Sequence, residues 1–290
     1  MRTVWLHKDH KKIKSHHRAE PFLKWAGGKG QLLKQYESFF PLQFNNYIEP
    51  FVGGGAVFFH LYNTGRLRRD RKITLIDSNE ELINCYSAIK EDVNRLIRTL
   101  KSSKYINDKD AYYKIRNDRP RGKFERAART IYLNKTCFNG LYRVNSQGKF
   151  NVPFGRHVKP LICDSEDLLA VNEALSNAEI IQDDFERCLK LAKEEDFVYF
   201  DPPYEPLSRT SSFTGYTRSS SNKDDQERLY EVFCTLHRRG CKVMVSNSYT
   251  PLIQRLYKSF RNEVALAKRA INCKPSLRGA ISELVILNYQ

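Results

Sequence analysis

The stretch Phe197-Val-Tyr-Phe-Asp-Pro-Pro-Tyr204 runs four apolar, β-prone residues into Asp201, two prolines and an aromatic ring. So continuous an apolar run suits a strand buried on both faces of a parallel sheet rather than a surface strand. The carboxyl end of such a strand is where α/β sheets place their ligands. Pro202 and Pro203 fix φ and donate no hydrogen bond, so the chain leaves the sheet with carbonyls unclaimed by a ladder. A carboxylate, a prolyl carbonyl and a ring face together suit a planar group carrying an amine, with two acceptors for its N–H bonds and a surface to stack on. A nucleobase turned out of its duplex is such a group.

Strand, turn and helix alternate on either side of this stretch. Upstream, Tyr47 to Phe51 reads as a short strand, Gly53-Gly54-Gly55 as a turn, Ala56 to Tyr62 as an apolar helix, Lys72 to Asp77 as a second strand and Glu80 to about Lys90 as a helix. After about Asp92 the alternation lapses. Helical patterns at Asp110 to Arg116 and Lys123 to Asn134 lead to residues 139–155, which alternate about Ser146-Gln147-Gly148 as a β-hairpin does. The α/β order resumes with Glu179 to Asp184 and continues through Phe197 to Asp201, Lys242 to Ser248 and Ile281 to Tyr289. The expected fold class is α/β, a Rossmann-like domain made of residues 21–91 and 178–290, with a mainly helical insertion over 92–177 that carries the hairpin. Residues 1–20 are basic and without apolar period, and are expected to form a flexible arm.

The 290-residue chain has 49 Lys and Arg against 33 Asp and Glu, a formal charge of +16 that suits a polyanionic partner. Its seven cysteines fall singly, without the spacing of a zinc site, so reduced thiols and no metal are expected. The amino terminus lacks the apolar core of a signal peptide, and no apolar run approaches the roughly 18 residues that span a bilayer. A soluble, cytoplasmic protein without membrane contact is the expectation.

Tyr47-Ile-Glu-Pro-Phe-Val-Gly-Gly-Gly55 is a strand running into a glycine turn before a helix, the arrangement of a nucleotide site. It lacks the third glycine of a dinucleotide fingerprint and the Gly-Lys-Ser/Thr of a P-loop. Asp77, ending the next strand, sits where a carboxylate accepts ribose hydroxyls. A ligand with a ribose but no phosphate fits best, and S-adenosyl-L-methionine meets that description. Gly53 and Gly55 would shape its turn. In Phe22-Leu-Lys-Trp-Ala-Gly-Gly-Lys-Gly30, Trp25 could pack on the ligand and Lys29 pair with a carboxylate, or the segment could be a plain turn with a buried Trp. Asp184 ends another strand and could accept from an adenine amine, or serve as an exposed helix cap.

Placed in order, FLKWAGGK (22–29), EPFVGGGAVFF (49–59), LIDSNEELINCY (75–86), FNGLYRVNSQGKFNVPFGR (138–156), FVYFDPPYEPLS (197–208) and VMVSNS (243–248) resemble the Dam-type DNA adenine methyltransferases over essentially everything from Pro21 onward. The resemblance implies an S-adenosyl-L-methionine-dependent methyltransferase domain that methylates the exocyclic amine of adenine in double-stranded DNA, usually within GATC, by base flipping. It implies cofactor contacts at Trp25, Lys29, Asp77 and Asp201, and places the target adenine against Asp201, Pro202, Pro203 and Tyr204. It also implies that the insertion reads the sequence, with Arg143 on guanine, Leu141 and Pro153 on the bases of the site and Lys24 near the outer base pair. Asn139, Asn151 and Arg156 lie among these expected DNA contacts, and Arg116, Arg119, Arg121, Lys123, Arg126 and Arg129 are expected on phosphates. At 157 the chain has histidine where relatives often carry tyrosine, which bears on flanking-sequence preference. No obligate protein partner is implied, a monomer is expected, and either a solitary or a restriction-modification role is open. The rival readings are an RNA adenine methyltransferase and a non-catalytic DNA-binding module on the same fold.

Ser208 to Asn222 (SRTSSFTGYTRSSSN) directly follows the proline motif and reads as a mobile loop. If it also serves as a lid over the flipped base, with Arg209 or Arg218 on phosphates, duplex DNA should protect it in limited proteolysis. Unchanged cleavage would remove the lid.

Overall fold

The computed structural model describes residues 17–68, 70–204, 223–268 and 280–290. The basic arm up to residue 16, the Ser208–Asn222 stretch and Cys273 lie outside the described residues.

The described strands are β1 (Tyr47–Pro50), β2 (Ile73–Asp77), β3 (Ala178–Gln182), β4 (Phe197–Phe200), β5 (Lys242–Ser248), β6 (Arg261–Lys268) and β7 (Ala280–Leu287). The described helices are α1 (Leu33–Tyr36), α2 (Ala56–Asn63), α3 (Glu80–Leu100), α4 (Lys109–Asn117), α5 (Lys123–Thr136), α6 (Ser165–Ala174), α7 (Cys188–Leu191), α8 (Lys223–Arg238) and α9 (Pro251–Leu256). The strands form one seven-stranded sheet in the order β3-β2-β1-β4-β5-β7-β6. The first five run parallel, and β7 is antiparallel to both β5 and β6. The fold is thus the expected α/β class.

Every residue of β1 and β4 is buried, as the apolar run of β4 requires. Because strand side chains alternate, Phe197 and Tyr199 enter one apolar layer with Leu75 and residues of α2, α3 and α5, while Val198 and Phe200 enter the opposite layer with residues of α8 and α9. Tyr112 and Ile115 of α4 and Phe124, Ala127 and Ile131 of α5 belong to the first of these layers. The helical region between residues 92 and 177 therefore extends the sheet's own core. Helix α3, capped by Asn79 accepting from the Leu82 amide, runs on past Lys90 to Leu100, and the boundary expected after residue 91 coincides with a kink at Asp92 (φ −153°, ψ 85°).

Two features depart from the sequence reading. Strand β6 was not expected, because Arg261–Lys268 mixes Glu, Ala, Leu and Lys, which favour helix; its pairing along β7 overrides that propensity. The stretch expected as a hairpin does turn back, with the Asn145 amide donating to the Lys149 carbonyl and the Asn151 amide to the Arg143 carbonyl. Its ladder is reduced to isolated bridges, Val144 with Phe150 and Cys137 with Phe154. Pro153 has no N–H to offer and Asn and Gly are poor strand formers, so the arms pair only locally.

Candidate active site and nucleic-acid interface

The strand order reverses between β1 and β4, the position at which α/β sheets open a crevice beyond their carboxyl ends. Beyond β1 the chain turns through Phe51, whose φ of 92° is a strained value for a residue with a side chain. The Phe51 and Val52 amides both donate to the Ile76 carbonyl at 2.9 and 3.0 Å, and the Phe51 ring stacks on Phe185, which holds this conformation in place. Gly53 and Gly55 follow with φ of 49° and 74°. A Cβ at Gly53 would lie 2.9 Å from Trp25 Cδ1, and one at Gly55 would lie 2.6 Å from the Tyr86 hydroxyl, so both positions need glycine for conformation and for space.

Asp77 closes the turn from β2. Its carboxylate accepts from the Gly53 amide at 3.1 Å and the Asn79 amide at 2.9 Å. Burial pushes this carboxyl above its ordinary value, and the amides oppose the rise. Each carboxylate oxygen has two lone pairs, so acceptor capacity remains for hydroxyls of a ligand. Trp25 stands beside the same turn, stacked on Tyr142 with centroids 5.0 Å apart. Asp184, at the end of β3, caps the short turn Phe185–Arg187 through the Glu186 amide and pairs with Arg228 at 3.2 Å, so its exposed carboxylate is already engaged by its own chain.

Beyond β4, buried partners hold Asp201, Pro203 and Tyr204. Asp201 Oδ1 accepts from Lys29 Nζ at 2.7 Å and from the Ser246 hydroxyl at 3.0 Å; among the described residues no hydrogen bond or ion pair reaches Oδ2. Burial raises the Asp201 carboxyl and the Lys29 charge pulls it back. Lys29, expected to pair with a carboxylate and to lie among the cofactor contacts, donates to the Asp201 carboxylate and to the Gly27 carbonyl, its side chain only 3 % exposed. The Pro203 carbonyl accepts from Gln226 Nε2 at 3.2 Å, and Gln226 Oε1 accepts in turn from Asn247 at 2.8 Å. The Tyr204 hydroxyl donates to Glu283 Oε2 at 2.6 Å, and Lys29 Nζ lies 4.7 Å from the centre of its ring. The sequence reading missed Ser246, Gln226, Asn247 and Glu283. Ser246 and Asn247 lie in the VMVSNS segment, and polar side chains inside a buried strand were the signal that could have found them.

The candidate DNA residues gather at one end of the α5 helix. Asn134 accepts from the Lys24 amide and donates to the Lys24 and Gly140 carbonyls, each at 2.9 Å, which seats Lys24 beside the Asn139–Gly140 turn. The Phe138 amide donates to the Pro153 carbonyl at 2.9 Å, joining the two arms of the fold-back. Exposed Arg143 donates through Nε to Asn151 Oδ1 at 2.8 Å, and its two terminal nitrogens carry no partner among the described residues. Leu141 is half-buried, while Asn139, Pro153 and Arg156 are exposed, Asn139 and Arg156 with φ of 57° and 53°. Phe138 stands among these polar groups 50 % exposed. His157 is turned inward, donating from Nε2 to the Cys137 carbonyl at 2.9 Å.

Several cations expected on phosphates are engaged internally. Arg126 pairs with Glu80 and Glu81, Lys123 pairs with Glu91, and Arg129 donates to the Ile115 and Arg116 carbonyls. Arg119 and Arg121 are exposed, their guanidinium groups with no ion pair or hydrogen bond among the described residues. A cleft of about 450 Å³ lined by Arg116, Arg119, Arg129, Tyr142 and Phe150 lies under the fold-back and shares no residue with the Asp201 cluster.

Residues 25–271 match the family described as D12 class N6 adenine-specific DNA methyltransferase. The chain is 46 % identical to the type II methyltransferase M.MjaIII of Methanocaldococcus jannaschii, over 93 % of this chain and 99 % of that protein. It is 43 % identical to the type II methyltransferase M1.LlaDCHI of Lactococcus lactis subsp. cremoris (93 % and 95 % covered) and 34 % identical to the DNA adenine methylase of Escherichia coli K12 (92 % and 94 % covered).

Glu49, in β1, is 2 % exposed and accepts from the Tyr47 hydroxyl at 2.8 Å. Burial raises its carboxyl from 4.5 to about 8. The native state therefore keeps a proton that the unfolded chain releases near its ordinary value, and stability present at acid pH is lost as pH rises through about 8. Glu49→Gln keeps the shape and an acceptor for Tyr47 but does not titrate. Between about pH 5 and about pH 9 its unfolding free energy should gain on that of the unsubstituted protein by more than about 1 kcal/mol in denaturant titrations. Parallel pH profiles would show that Glu49 is not the buried proton carrier.

Proposed function

The chain belongs to the D12 class N6 adenine-specific DNA methyltransferases, and from that membership we propose that it transfers the methyl group of S-adenosyl-L-methionine to the exocyclic amine of adenine in duplex DNA, within GATC, after flipping the base. The observation that carries this reading is the corner made by Asp201 and Tyr204: a carboxylate clamped through one oxygen, the other without a partner among the described residues, beside a ring held by its hydroxyl.

The residues beyond β1 and β2 fit the cofactor. Asp77 retains lone pairs for ribose hydroxyls, and the turn that brings the Gly53 amide onto it is one only glycine can make, because Trp25 and Tyr86 fill the space of a side chain at Gly53 and Gly55. When bound, S-adenosyl-L-methionine supplies an electrophilic methyl group on a sulfonium. Lys29, paired with Asp201, supports the reading by holding one oxygen of that carboxylate.

An adenine amine is a weak nucleophile because its lone pair is delocalised into the ring. Asp201 Oδ2 and the Pro202 carbonyl would accept its two N–H bonds and favour a pyramidal nitrogen with the lone pair freed. Asp201 is also placed to take the proton that the methylated amine loses. Tyr204 would stack on the base and recover part of the few kcal/mol spent on unstacking it. Catalysis on this account is mostly positioning, without a covalent enzyme intermediate.

Arg143, steadied by Asn151, keeps a guanidinium edge for bidentate contact with guanine, and Lys24, Asn139, Leu141, Asn151, Pro153 and Arg156 flank it. The half-exposed Phe138 ring among them is an apolar wedge of the kind that enters between base steps.

DNA from cells expressing the chain should resist a nuclease blocked by methylated GATC and yield to one that requires it. Asp201→Ala should lower methyl transfer on the order of 10³-fold while leaving specific DNA binding within a few-fold; equal loss of both would sink the catalytic assignment. Arg143→Ala should relax discrimination at one base pair by about 1–3 kcal/mol, measured on duplexes with single altered pairs. Unchanged mismatch penalties would show that the fold-back does not read sequence.

A further inference from the structure

Glu283 lies inside β7, opposite Ser248 of β5, 9 % exposed and followed by Leu284, Val285 and Ile286 at 2 % or less. A carboxylate in such a strand is unfavourable unless its charge is met. What meets it comes from the active site and its floor. Oε2 accepts from the Tyr204 hydroxyl at 2.6 Å and the Tyr36 hydroxyl at 3.0 Å, and lies 4.0 Å from Lys29 Nζ. Lys29 is the same ammonium that holds Asp201 Oδ1. One buried cation thus stands between two carboxylates, of which one faces the reacting amine in the proposed reaction and the other grips the far end of the stacking ring.

We propose that Glu283 is a positioning residue for methyl transfer: through the Tyr204 hydroxyl it sets the plane of the stacking ring, and through Lys29 it ties that ring to Asp201, so that the face and the acceptor keep one spatial relation. The inference rests on the methyltransferase reading above. An aromatic ring attached to the backbone at one end alone can tilt about its side-chain torsions, whereas one anchored also at its hydroxyl presents a single plane to the base. Two anionic groups sharing one ammonium keep Asp201 from turning Oδ2 away when the base arrives.

The test starts with transfer of labelled methyl from S-adenosyl-L-methionine to duplex DNA by the unsubstituted full chain. Failure here overturns the function reading itself, before any variant is made. Tyr204→Phe, which keeps the ring, and Glu283→Ala should each lower kcat about tenfold with KM for DNA and Kd for the cofactor within about twofold. The double variant should be no worse than the poorer single, because one contact is being removed twice.

Glu283→Gln separates the two roles, since its amide oxygen still accepts from Tyr204 but carries no charge. The groups around Asp201 are Lys29, Ser246, Tyr36, Tyr199, Tyr204, Glu49 and Glu283. Burial is the main cause of the raised Asp201 carboxyl, and the Glu283 charge adds to it against Lys29. Removing that charge should therefore move the acid limb of the kcat–pH profile to lower pH, which a merely structural role would not do. Losses that add in the double variant, or an acid limb that stays in place in Glu283→Gln, would overturn the proposal. Should Glu283→Ala fail to fold, the acid limb of the Glu283→Gln profile gives the decision by itself.

Discussion

The ion pair between Lys29 and Asp201 is the contact on which the site depends. A carboxylate at the end of a fully buried strand cannot remain charged without a counter-charge, and an ammonium 3 % exposed cannot either. Removing Lys29 would leave the buried Asp201 carboxylate without its counter-charge, which costs about 3–5 kcal/mol in comparable pairs. The pair also joins distant parts of the chain. Lys29 comes from the amino-terminal segment and Asp201 from the middle of the sheet, so the segment is drawn down over the carboxyl ends of β1 and β4.

The same short segment reaches the residues proposed to meet DNA. Lys24, five residues before Lys29, is held at its amide and carbonyl by Asn134 of α5, and Asn134 also fixes the Gly140 turn that begins the fold-back. Residues 24–29 therefore connect the group expected to face the outer base pair with the group that orients the acceptor carboxylate. Trp25 between them stacks on Tyr142 and crowds Gly53, so the Asn139–Gly140 turn, the Gly53–Gly55 turn and the Asp201–Tyr204 corner share one strip of chain. A displacement of this strip would be felt at all three.

A strained residue adjoins the Gly53–Gly55 turn. Phe51 sits at φ 92° directly after β1, held by two amide bonds to Ile76 and by stacking on Phe185. A non-glycine residue in that region costs about 1–3 kcal/mol and persists only where its surroundings over-determine it. The gain is a turn that brings the Gly53 amide onto Asp77.

Much of the α/β order was legible in the sequence, because buried strands such as Phe197–Phe200 and Lys242–Ser248 announce themselves by apolar continuity, and the glycine turn by spacing. That Asp77 and Asp201 stand where strands stop was legible for the same reason. Strand β6 was not, since its propensity is helical and only β7 makes it a strand. Nor could the sequence show that Arg126, Arg129 and Lys123 are engaged within the protein, or that Lys29 turns to Asp201. Local pattern determines which residues end a strand or open a helix, because those preferences act between neighbours. Which charge meets which is decided by contacts between positions as far apart as 29 and 201, or 204 and 283, and these exist only once the sheet has brought its strand ends together.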